Sequence, residues 1–179
     1  MNHILRYTIL AFLAFLSACI TEEPTGRELA VGDPLPSFSV MMNNGESMSN
    51  GQLKGKVSMI VFFNTTCPDC RKELPVLQRF HENHPQVPLI CISREESAAP
   101  IASYWEQESF TMPYSAQEDR TVYQLFAKQG IPRIYIIGPD GIIRKIFTDQ
   151  PLPTYEELTE AINILASNNK KDYPTLQIN

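Results

Sequence analysis

Short apolar runs alternate along this chain with segments whose apolar residues recur every three or four positions, the pattern of strands interleaved with helices. The most apolar run, Val57-Ser-Met-Ile-Val-Phe-Phe63, is rich in β-branched and aromatic residues and predicts a strand buried on both faces. Leu74, Leu77 and Phe80 then predict a helix to about Asn83, with Pro75 inside it as a source of kinking. Val87-Pro-Leu-Ile-Cys-Ile-Ser93 reads as the next buried strand, and Ile101, Tyr104 and Trp105 fall on a helix over about 98–108. Residues 112–116 predict a short edge strand. Asp119 reads as the N-cap of a helix bearing Val122, Leu125 and Phe126 and ending at Gly130. Runs at 134–137 and 142–147 flank Pro139-Asp-Gly141 as a hairpin, and Leu158, Ile162 and Leu165 mark a last helix over about 154–166. Ahead of all these, Asn43-Asn-Gly45 between two short apolar segments predicts an N-terminal β-hairpin, followed by a short helical turn over 49–53. Strands alternating with helices imply an α/β fold: a central mixed sheet flanked by helices on both faces.

The first residues follow a different rule. Arg6 precedes an uncharged stretch from Tyr7 to Leu16, about ten residues long, too short to span a bilayer but suited to a secretory leader. Leu16-Ser-Ala-Cys19 resembles the lipobox of bacterial lipoproteins, which implies a signal peptide over 1–18, cleavage before Cys19 and lipid on its sulfur. Two or more acyl chains anchor a protein stably where one does not. The expected division is the leader, a polar tether over 19–30, a domain over 31–168 and a polar tail over 169–179. The expected location is the bacterial cell envelope, facing the periplasm or the exterior.

A formal charge of −5 and a pI near 5.2 give no basic face for nucleic acid. With 43% apolar and 20% charged residues, 179 positions suit one domain with a full core. Four cysteines are too few for a disulfide framework. They fall into three settings: Cys19 at the leader's end, Cys67 with Cys70, and Cys91 inside an apolar strand, where it reads as a small hydrophobe.

Cys67-Pro-Asp-Cys70 joins the central strand to the helix after it. Thr65 and Thr66 can cap that helix, and Pro68 suits its first turn. Unpaired N–H groups and the helix dipole favour a thiolate there, the form that attacks disulfides. Cys70, one turn on, is close enough to close a small disulfide ring, so Cys67 is the expected attacking thiol and Cys70 the resolving one.

These residues resemble the thioredoxin superfamily and, within it, the TlpA/ResA-like extracytoplasmic thiol-disulfide oxidoreductases. The resemblance rests on Cys67-Pro-Asp-Cys70 after a buried strand, Glu73 and Pro75 in Arg71-Lys-Glu-Leu-Pro75, Gly130-Ile-Pro132 before a strand, and the Gly138-Pro-Asp-Gly141 turn, across about 31–166. It implies a thioredoxin-like fold, a cis peptide before Pro132, and an extended client segment received on the backbone of Ile131. It also implies a proton-transfer role for Glu73, which a solvated position on the helix face would remove. Reduction of client disulfides, a membrane thiol-disulfide electron donor and no cofactor beyond the Cys67–Cys70 disulfide complete what it implies.

Departures from the family pattern shape the remaining expectations. Thr66 replaces a usual tryptophan. Pro68 and Asp69 stand in an order often reversed in the family, and a carboxylate at Asp69 disfavours a nearby thiolate, so the disulfide is expected to be stable and the protein reducing. A zinc set of Cys67, Cys70, His81 and His84 fails on its setting, with the histidines read as exposed, and no metal is expected. A peroxidase of the peroxiredoxin type would have threonine at Asn64 and proline at Ile60. That peroxidase and a non-catalytic, lipid-anchored binding module remain the alternatives.

Overall fold

The computed structural model describes residues 26–172, the last five by backbone alone. The leader, Cys19 and most of the expected tail lie outside the described residues. A small antiparallel hairpin, β1 (Ser39–Met41) and β2 (Ser47–Ser49), comes first, then a 3₁₀ turn over Asn50–Leu53. There follow β3 (Ser58–Phe63), α1 (Pro68–Asn83), β4 (Leu89–Ser93), α2 (Ala98–Glu108), β5 (Tyr114–Ser115), β6 (Arg133–Ile137), β7 (Ile143–Phe147) and α3 (Tyr155–Asp172).

The sheet order is β5-β4-β3-β6-β7, with β3 parallel to β4 and antiparallel to β6. β3 is therefore central and buried at all six positions, as its unbroken apolar run predicts. Successive side chains of a strand point to opposite faces. Phe62 meets Tyr123, Phe126 and Tyr135 on one face, and Phe63 meets Trp105 of α2 on the other, with centroids 5.0 Å apart. Burying a phenylalanine contributes on the order of 2 kcal/mol, so this aromatic double layer fixes β3 firmly. β3 ends at the cysteine pair and holds it on the most rigid part of the fold.

Trp105 is a packing residue whose indole N–H donates to the Met112 carbonyl. Cys91 is fully buried in β4. The hairpin covers the β5 edge, where the Asn43 N–H donates to the Tyr114 carbonyl and the Ser115 hydroxyl to the Met41 carbonyl. Helix α1 runs unbroken through Pro75.

Three expectations are corrected. The tether does not reach residue 30: the Arg27 and Leu29 N–H groups donate to the carbonyls of Gln124 and Phe126, and Leu29 is buried, so the domain begins by Arg27. The helix expected over 119–130 shrinks to a 3₁₀ turn at Tyr123–Leu125. Asp119 accepts from the Thr121 N–H in a local turn, and the N-terminal segment takes the two carbonyls that a continuing helix needs. The last helix extends beyond 166 to Asp172.

Candidate active site

The β3–α1 junction builds the site. Asn64 Oδ1 accepts from both the N–H and the hydroxyl of Thr66, and Asn64 Nδ2 donates to the Arg94 carbonyl. Thr65 gives its N–H and hydroxyl to the carboxylate of Glu96, which is itself buried. The two threonines are thus committed to bracing the loop, and Cys67 rather than either of them is the N-cap of α1. Its sulfur accepts the Cys70 N–H at 3.4 Å, while Pro68 occupies the first helical position.

All three described cysteines are thiols. Cys67 is partly exposed and Cys70 fully buried beneath it. Burial first, then a hydrogen bond to the Cys67 sulfur, pushes the Cys70 pKa well above the ordinary thiol value. An accessible sulfur beside an inaccessible one has the asymmetry that attack followed by resolution requires.

Across from the pair, the Ile131–Pro132 peptide is cis, and the Ile131 carbonyl lies 3.6 Å from the Cys67 sulfur. Ile131 and Pro132 are both buried. Asp69 pairs with Lys72 at 2.8 Å, an exposed contact that offsets part of its field at the neighbouring sulfur.

Glu73 is 1% exposed and lies one turn of α1 beyond Cys70, which decides against a solvated position. Its Oε1 has no hydrogen-bond partner, and burial, helped by the charge of Glu157, raises its pKa to about 7. An uncompensated buried carboxyl near half-protonation can take or give a proton close to neutral pH. Sequence reasoning missed Asn64 as a loop brace and did not consider Glu96; an asparagine where a strand meets a helix is the signal available for the first.

His81 and His84 are half-buried rather than exposed, with His84 stacked on Phe80 and its ring nitrogen beside the Tyr155 hydroxyl. They lie at the far end of α1, about 21 and 25 Å along the helix from Cys67, so the four zinc candidates cannot share one ion. No described helix is long and apolar enough to cross a membrane.

The family model described as AhpC/TSA matches residues 31–146. The chain belongs to the AhpC/TSA family. It is 26% identical over 126 residues to the thiol-disulfide oxidoreductase ResA of Bacillus subtilis, covering 69% of this chain and 70% of that protein. It is 28% identical over 142 residues to the thiol:disulfide interchange protein DsbE of Pseudomonas aeruginosa, covering 73% and 78%. A solution structure of a candidate protein disulfide isomerase from Bacteroides thetaiotaomicron superposes with a TM-score of 0.72 at 23% identity, over 83% of this chain and 97% of the other. The fold of this AhpC/TSA member is thioredoxin-like, with the N-terminal hairpin as an addition to the five-stranded sheet.

Proposed function

We propose that the protein is a thiol-disulfide oxidoreductase that reduces disulfides of client proteins outside the cytoplasm. The observation that carries this is the placement of the Cys67 sulfur, partly exposed at a helix N-terminus, between the Cys70 N–H and the Ile131 carbonyl. The names of its relatives support exchange chemistry.

In the proposed cycle the Cys67 thiolate attacks a client disulfide held along Ile131 and Pro132. A Cys67–client disulfide forms and the client's other sulfur leaves as a thiolate. Glu73 then accepts the Cys70 proton, and the Cys70 thiolate attacks the Cys67 sulfur. The client leaves with two electrons gained, and the protein is left with a Cys67–Cys70 disulfide. The two sulfurs carry both electrons, so the cycle calls for no organic cofactor or metal.

Compartments outside the cytoplasm are oxidising, so a membrane thiol-disulfide donor must restore the dithiol. Lipid on Cys19 would hold the protein near such a donor in the cell envelope, facing the periplasm or exterior.

A peroxidase reading shares the family, and one assay separates the two. With dithiothreitol as the electron source, the protein is expected to turn over insulin disulfides and to consume hydrogen peroxide only at the background rate. Rapid peroxide turnover with inert insulin would reverse the assignment.

A further inference from the structure

Tyr123 opens the 3₁₀ turn that stands where a longer helix was expected. It is 1% exposed, packed edge-on against Phe62 with centroids 5.3 Å apart and planes at 83°. The guanidinium carbons of Arg94 and Arg120 each lie 5.3 Å from its ring centroid. With core on one side and two cations against it, the ring has a fixed position. Its hydroxyl donates to the Gly130 carbonyl at 2.6 Å. Burial raises the Tyr123 pKa, which keeps that hydroxyl protonated and donating.

Gly130 sits at φ +84°, a conformation in which glycine has unusual freedom, so an external hold on its carbonyl matters. The Gly130 carbonyl and the Ile131 N–H belong to one trans peptide and point in opposite directions. Anchoring the carbonyl on Tyr123 therefore aims the Ile131 N–H away from Tyr123, while the next carbonyl, that of Ile131, faces the Cys67 sulfur. Phe62, against which Tyr123 packs, is on the strand that delivers Cys67 and pairs in register with Arg133, the first residue of β6 and the one that follows Pro132.

We propose that Tyr123 is a positioning residue that sets the Ile131 backbone for an extended client segment and so brings the client disulfide to Cys67. The inference rests on the thiol-exchange function proposed for this site. It makes recognition depend on a hydroxyl that never touches the client.

Tyr123→Phe in the mature full-length chain removes the hydroxyl and keeps the ring. The melting temperature is expected to fall by only a few degrees, the cost of one lost hydrogen bond, showing an intact fold. KM for insulin is expected to rise about three- to tenfold with kcat held, the range for one lost hydrogen bond. The backbone order parameter of Ile131 is expected to fall from the rigid range near ~0.85. Unchanged KM and order parameter would overturn the proposal, as would a fall in kcat at constant KM, which would place the effect on the cysteines. If the unsubstituted protein reduces no insulin, the exchange function fails, and the Ile131 order parameter alone decides whether Tyr123 positions the loop.

Discussion

A Cys70→Ser variant is expected to stall on its client as a covalent adduct, with turnover lowered by about a thousandfold or more. The Cys70 sulfur sits fully buried under Cys67, with the Cys70 N–H already directed at the sulfur it must attack. Well-oriented intramolecular attack reaches effective molarities of about 10⁵ M or above, so an external thiol at millimolar concentration replaces it poorly. The adduct should appear as a higher band on non-reducing gels, vanish with dithiothreitol, and carry the client on Cys67 by peptide mass mapping. A Cys67→Ser variant should form no adduct and show no turnover, because the other sulfur of the pair, on Cys70, is inaccessible. An adduct through Cys70 in that variant would reverse the roles given to the two cysteines.

Glu73→Gln is expected to change stability and chemistry together, each with a pH signature. The folded pKa of about 7 lies above the ordinary carboxylate value near 4.5, so between these values the folded chain holds a proton that the unfolded chain has lost. The stability linked to that proton is fully present below about pH 4.5 and falls away as pH rises to 7, by roughly 3 kcal/mol in all. The glutamine variant never develops the buried charge. Its urea midpoint, compared with that of the parent protein, should therefore gain between pH 5 and 8. The same substitution removes the proton acceptor for Cys70, so resolution of the mixed disulfide should slow by about a hundredfold and lose its inflection near pH 7. Parallel stability curves with an unchanged resolution rate would show that Glu73 is neither charged nor catalytic in the folded protein.

What could be seen in the sequence was what depends on local order. β3 was legible because an unbroken apolar run has one stable home, the middle of a sheet covered on both faces. The burial of Glu73 was half legible: helical phase puts it on the face of Cys70, Leu74 and Leu77, but the charge that adds to its shift comes from Glu157, on a helix far along the chain. The segment after Asp119 misled because its helical spacing was real while its carbonyls were claimed from elsewhere. Arg27 and Leu29, almost 100 positions earlier, take the Gln124 and Phe126 carbonyls, and periodicity carries no record of such a partner. The same non-local geometry hid the Tyr123 hydroxyl on the Gly130 carbonyl and the Glu96 carboxylate under Thr65. Strand and helix identity are set by neighbours in sequence, whereas the bracing of this site is set by loops that meet only after folding.

The central claim is that Cys67 and Cys70 form a reducing couple, and the reduction potential of that pair tests it most directly. Equilibrating the protein in defined dithiol buffers, then counting free thiols by mass-tagging, gives the value. A potential at or below about −250 mV is expected, near the thioredoxin end of the known range. A potential above about −150 mV would make the protein an oxidant or an isomerase and contradict the account.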